Sequence, residues 1–281
     1  QVFVHKIKDF LLQQSDQILI FAFVSLKMVA YYGNYTLVVG RLTMLFTTMI
    51  GGIVAGVGNL IAEGDKEKIQ RVFGEMLFTH YVIAGIVVFA IYQGIQPFIY
   101  LWLGQEYLLS HPILILLLVN AFIMLSRGAV DTFNTACGNY HDTWSAWVEG
   151  IINISVTIFS CIQWGLAGVL IGKIASLVPI IVIWKPLFLY RTSFKRSIWH
   201  YWKTVGLTWL GFAIAFGIAS YSSRLLPFDP YHDFMQWTSY CVSLTAIFVL
   251  LYVITLFLFT QGAKDMTHRV INTMLKNNRM S

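Results

Sequence analysis

The sequence predicts an all-α, polytopic membrane bundle of about eight transmembrane helices, and three observations carry that expectation. Of 281 residues, 57% are hydrophobic and only 11% are charged. The mean hydropathy is +0.69. Long apolar runs recur along the whole chain, and a membrane-spanning helix needs roughly 20 mostly apolar residues. A soluble helical domain of this length would need more charge on its water-facing positions.

Taken in order, the expected spans lie near residues 8–25, 31–61, 76–97, 111–135, 145–163, 165–184, 205–222 and 236–260. The first is interrupted by the polar cluster Gln13-Gln14-Ser15-Asp16-Gln17. The second exceeds the required length, so it must tilt, bend or protrude; Gly52 and Gly56 give its end the small-xxx-small spacing that permits close helix contact. The inner stretch "EGDKEKIQRVFGEM", residues 63–76, reads as a short amphipathic helix in which Glu63→Lys66 and Glu67→Arg71 sit at helical spacing, or as an ordinary solvated connector. The fifth and sixth spans are joined only by "QWG", which calls for a tight antiparallel hairpin. "PLFLYRTSFKRSIWHYWK", residues 186–203, mixes cations with aromatics as an interfacial segment beside anionic head groups does. "SSRLLPFDPYHDF" is expected to be irregular.

The net charge of +6 is distributed unevenly. With residue 1 placed in the cytoplasm, the inner segments hold Lys6, Lys8, Lys66, Lys68, Arg71, Lys185, Arg191, Lys195, Arg196, Lys203, Lys264, Arg269, Lys276 and Arg279, and the outer ones only Lys27 and Arg224. Basic residues concentrate on cytoplasmic loops, so both ends of the chain are expected inside and the excess calls for no nucleic acid. Cys137, Cys161 and Cys241 are far apart and carry no metal-ligand pattern. The chain opens on Gln1 without a signal peptide and reads as the later part of a longer protein.

A charge at the bilayer centre costs on the order of 2.5–3.5 kcal/mol on insertion scales, so those retained usually face a bundle interior or a watery cavity. The candidates are Asp16, Arg41, Arg127, Asp131, Glu149 and Lys173, with His80 and Asn153 as polar companions. Arg127 and Asp131 are four apart and share a helix face, so they either pair with each other or leave the guanidinium for bidentate contact with a phosphate. Glu149 and Asn153 repeat that spacing on the next helix, though Glu149 could lie at the membrane edge. Lys173 and Arg41 could snorkel, although Arg41 is well inside a long helix. Asp16 and its polar neighbours could line a cavity or take up a proton. HExxH, GxSxG and phosphate-cradling GKS/T motifs are absent, as is a large outer loop; no enzyme and no cofactor is indicated.

"HKI" followed by "SDQILI" in place of the commoner "STDNIIIS", then "YYGNY" and "GNLIAEGDKEK", resembles the O-antigen-flippase-like, polysaccharide-exporting branch of the multidrug/oligosaccharidyl-lipid/polysaccharide exporter superfamily. "SRGAV", "EGIINISVTI" and "GLAGVLIGKIAS" follow in the family's order, so the resemblance covers roughly residues 5–190. It implies two pseudo-symmetric helical bundles around a cavity that opens alternately to either side. Residues 1–190 would form the second six-helix bundle, 191–204 a basic and aromatic cytoplasmic loop, 205–260 two additional helices and 261–281 a basic cytoplasmic tail. The first bundle would be the missing partner. The implied substrate is an oligosaccharide on a polyprenyl pyrophosphate, flipped across a bacterial inner membrane with help from an ion gradient. Arg127 matches a family arginine, and Asp16, Glu149 and Asn153 fall on characteristic polar positions. The cavity residues are then expected to be Arg127, Arg41, Lys173, Asp131, Glu149 and Asn153, with Asp16 coupling to the ion; Arg41 and Lys173 rest on burial logic alone. The alternatives are a drug/cation antiporter of the same fold, a membrane enzyme of glycan assembly, and a scaffold partner. Three intramembrane cations favour an anionic substrate over a cationic drug, and the short outer loop is thin for an enzyme.

Overall fold

The computed structural model describes residues 16–259, with the side chains at 49–50, 52–55 and 259 outside that description. Gln13, Gln14 and Ser15, most of the 8–25 span, the Gly52 half of the glycine pair and the 261–281 tail therefore lie outside the described residues. A helical segment over 16–23 comes first. It is followed by α1 (Leu26–Glu63), α2 (Lys66–Leu103), α3 (His111–Ser126), α4 (Gly128–Ala136), α5 (Thr143–Trp164), α6 (Leu166–Leu177), α7 (Lys185–Leu189), α8 (Trp199–Ser222) and α9 (Phe234–Phe259). No strand occurs among the described residues. Among the described residues, six helical stretches are long and apolar enough to cross a membrane: Lys66–Leu103, His111–Ala136, Thr143–Trp164, Leu166–Phe194, Trp199–Leu225 and Phe234–Leu258. The protein is a multi-pass, all-helical membrane bundle.

Local chemistry sets the helix ends. Ser25 caps α1 by accepting from the Met28 N–H at 3.1 Å. The α1–α2 turn is made by two residues. Gly64 takes the left-handed conformation (φ 75°) and donates to the Ile61 carbonyl, and the Asp65 carboxylate accepts from the N–H groups of Glu67 and Lys68. The 63–76 stretch is helical beyond that turn, as its spacing suggested, but it is the opening of the 38-residue α2 and not a separate short helix. Glu63 pairs with Lys68 across the turn, in place of the Glu63–Lys66 pair the spacing suggested.

The 165–184 span is also longer than its hydropathy indicated. It runs through π-helical turns at Val178–Trp184 and Tyr190–Phe194 and ends at Lys195, which is left-handed (φ 49°). Pro179 and Pro186 lack the N–H that the i→i−4 ladder requires, which is the local reason for the irregular winding. Of the 191–204 stretch, only residues 195–198 break the helical winding; the rest belongs to the two flanking helices. The loop between α8 and α9 is irregular, as expected, with one 3₁₀ turn at Ser223–Leu225.

Aromatic contacts tie the ends of the bundle. At one end Phe73 meets Phe133, Tyr190 and Phe194 edge to face. At the other, Tyr92 packs on His111 and Tyr100 on Tyr231. The α8–α9 pair docks on α2, where Phe89 stacks on Phe248 with centroids 4.1 Å apart. Gly85 and Gly94 leave the room that Tyr252 and Cys241 occupy, and Trp237 Nε1 donates to the Gly94 carbonyl at 2.9 Å.

The α5–α6 hairpin is closer still. A methyl group at Gly168 would strike the backbone of Ser160 and Cys161, and one at Gly172 would strike Thr157. The Ser160 hydroxyl donates to the Gly168 carbonyl at 2.8 Å across this contact. The tight hairpin expected from the short "QWG" link is present, made by Gly165 at φ 54°.

Candidate functional site

A cleft of about 410 Å³ opens between α1, α3 and α6. Its α1 wall carries Tyr32, Thr36, Thr43 and Thr47, residues whose spacing keeps them on one helical face. Each threonine hydroxyl donates to its own helix: Thr36 to the Tyr32 carbonyl, Thr43 to the Gly40 carbonyl and Thr47 to the Thr43 carbonyl, all at 3.0 Å. With the proton committed inward, what these groups offer the cleft is an acceptor oxygen. Asn120 also belongs to the α3 wall, but its carboxamide is turned into the bundle. Its amide nitrogen donates to the carbonyls of Leu116 and Leu170, and its buried Oδ1 has no partner.

Lys173 reaches the cleft from α6. Its ammonium lies 2.8 Å from Asp16 Oδ2, which also accepts from the Tyr32 hydroxyl at 3.4 Å. Asp16 is 5% exposed, so the leading helical segment delivers a buried carboxylate to the one cation on the cleft wall among the described residues. The register is antiparallel: Val24, at the other end of that segment, approaches Gly165. The sequence placed Asp16 and Lys173 in different roles. The structure joins them.

Arg127 stands just beyond the cleft, at the junction of α3 and α4. Its Nε donates to Asp131 and its Nη1 approaches the sulfur of Met124, a cleft residue, at 3.7 Å. The ion pair is the helical i,i+4 arrangement the spacing allowed. His80 packs under this junction. A side chain at Gly128 would collide with its imidazole, and its Nδ1 lies 3.2 Å from the Leu125 carbonyl. It thus holds the α3–α4 join and does not line the cleft.

The remaining candidates go elsewhere. Arg41 is exposed on α1, next to Gly40 of the cleft wall, and is not among the cleft-lining residues. Glu149 and Asn153 are each 3% exposed on α5, a helix that contributes no residue to the cleft. Sequence reasoning missed Asn120 and the threonine row. The signal for the row was present, since Tyr32, Thr36, Thr43 and Thr47 recur at helical spacing; nothing local distinguished Asn120.

Chemically, the cleft combines one lysine, paired with an internal acid, with a row of acceptor oxygens inside an otherwise apolar bundle. Such a wall suits a ligand rich in hydroxyl donors that also carries an anionic group. No family model, curated protein or solved structure matches the chain.

Proposed function

We propose that this protein moves an oligosaccharide linked to polyprenyl pyrophosphate from the cytoplasmic to the outer leaflet of a bacterial inner membrane, without covalent chemistry, for the assembly of a surface polysaccharide. The observation that carries the reading is the composition of the cleft. Sugar hydroxyls are donors, and the threonine oxygens of the α1 wall are acceptors left facing them. The pyrophosphate is met by Lys173, with Arg127 at the α3–α4 junction and Arg41 beside the α1 wall as further cations. The prenyl tail stays in lipid.

Asp16 supplies the coupling. While the cleft is empty it neutralises Lys173, which avoids an uncompensated charge in a dry bundle. When pyrophosphate takes the ammonium, Asp16 loses its counter-charge, and uptake of a proton or another cation offsets the loss. A drug/cation antiporter would present its acids uncovered, whereas Asp16 and Asp131 are each paired with a basic side chain. The reading also calls for a first helical bundle to close the other side of the cleft, and for basic loops and both ends facing the cytoplasm.

The test is the leaflet distribution of lipid-linked glycan in cells that lack their own flippase. Glycan is expected to reach the outer leaflet when the protein is supplied and to stay inside with Arg127→Ala. Normal release by the variant would reduce Arg127 to a structural partner of Asp131. Glycan held inside even by the unaltered protein would defeat the reading.

A further inference from the structure

No Asp or Glu occurs between Glu149 and Asp229, although basic residues recur through that interval. Two of them find acids elsewhere in the chain: Lys173 pairs with Asp16, and Lys185 with Asp142. Arg191, Lys195, Arg196 and Lys203 do not. All are exposed, and among the described residues no carboxylate lies within ion-pair distance of any of them. They gather at one corner of the bundle, where the membrane-spanning stretch Leu166–Phe194 ends and Trp199–Leu225 begins.

The fold holds this corner in place. Tyr190 and Phe194 before the break, and Tyr201 after it, are buried and meet Phe73 of α2. Between them the chain turns at Lys195, which is left-handed (φ 49°). The other left-handed positions among the described residues are all glycines: Gly64, Gly104, Gly138 and Gly165. A residue with a side chain is strained in that conformation and glycine is not, so a cation stands where glycine would serve the backbone better. Trp199, the next turn along, is 73% exposed, and Lys203 follows it on the same face of α8. An exposed indole at a helix end settles at the head-group level of a bilayer, its body toward lipid and its N–H toward water. The cations beside it then lie at the level of the lipid phosphates.

We propose that this corner binds the head group of an anionic phospholipid, with Lys195 and Arg196 meeting the phosphate and Arg191 and Lys203 flanking it. Charge complementarity selects the lipid. Phosphatidylglycerol carries a net negative charge that four unpaired cations answer, whereas phosphatidylethanolamine brings its own ammonium and gains little from them. The general tendency of basic residues to collect on one side of a membrane accounts for their sign. It does not account for a lysine held in the conformation that every comparable turn gives to glycine. The site is remote from the cleft wall and shares no residue with it. It rests on the bundle spanning a membrane, not on what the cleft carries.

The test titrates the purified protein, in mild detergent, with dioleoyl phosphatidylglycerol or dioleoyl phosphatidylethanolamine, and native mass spectrometry reads the first lipid bound. Phosphatidylglycerol should bind more tightly. Lys195→Gln/Arg196→Gln should weaken it by about fivefold or more, the change one basic side chain makes near an anionic surface, and leave phosphatidylethanolamine unaffected. Arg224→Gln, which removes an exposed cation at the far end of α8, should change neither. Lys195→Gly separates binding from folding: relieved of strain, it should unfold at the same temperature or higher while binding phosphatidylglycerol less well. Equal binding of the two lipids would overturn the proposal, as would undiminished binding by the double variant or an equal loss with Arg224→Gln. Displacement of phosphatidylglycerol by inorganic phosphate at constant ionic strength would make a free anion the ligand and overturn the assignment to lipid.

Discussion

Asp16 and Lys173 hold each other's charge inside the bundle, and removing either one strands the other. Asp16→Asn or Lys173→Met should each cost about 3–5 kcal/mol, the usual penalty for halving a buried pair. The double variant Asp16→Leu/Lys173→Met should recover most of it, and thermal unfolding in detergent micelles measures all three. Equal losses that simply add would mean the two side chains do not interact. A second residue-scale expectation concerns Asp233, at the start of α9 and exposed. Its carboxylate accepts from the Gln236 N–H at 2.8 Å and sits beside His232, and these contacts, the backbone one foremost, hold its pKa below the ordinary value. Because the folded value lies below the unfolded one, the cap's contribution is present above the unfolded pKa and vanishes as pH falls through the folded one. Amide exchange at the first turn of α9 should accelerate over that acid range, and should be fast at every pH in Asp233→Ala. The sequence exposed some of this chemistry. Arg127 and Asp131 could be paired on spacing alone, because the helix fixes where a residue four positions on must lie. Asp16 and Lys173 could not, since 157 positions separate them and only the packing of the leading segment on α6 brings them together.

Among the elements, the α5–α6 hairpin depends on having no side chain at two positions. Gly168→Ala would push into the backbone of Ser160 and Cys161 and should cost about 1–3 kcal/mol. Gly33→Ala, within α1, meets nothing and should stabilise the helix by about 0.5–1 kcal/mol. Equal effects at the two sites would show that close approach is not what holds the hairpin. The spans themselves were legible because a stretch that crosses lipid must stay apolar for its whole length. Their ends were less so. Hydropathy falls at the charged residues 63–68, but the helix resumes directly after Asp65 because a cap needs only one carboxylate. The 186–203 stretch misled for the converse reason. Its cations and aromatics mark an interface, yet the helix carries them through π-helical winding as far as Phe194. Glu149 and Asn153 were read as cavity residues on their polarity, their four-residue spacing and the family resemblance, and none of these reveals which neighbour a helix face meets.

For the whole molecule, the account is an apolar bundle with a cleft on one side of α6, where a lysine answers an anion and acceptor oxygens answer hydroxyls. The apolar runs were legible as membrane-spanning helices, whereas the cleft was not, because three helices contribute to it and no stretch of sequence contains it. The most direct measurement is the accessibility of the α1 wall. In a background with Cys137, Cys161 and Cys241 replaced by serine or alanine, Thr43→Cys is labelled with a charged, membrane-impermeant thiol reagent. Farnesyl pyrophosphate and farnesol are then compared as protectants. The account predicts that the pyrophosphate slows labelling, that farnesol does not, and that the protection disappears with Lys173→Gln. Equal protection by both compounds, or protection that survives the loss of Lys173, would contradict it.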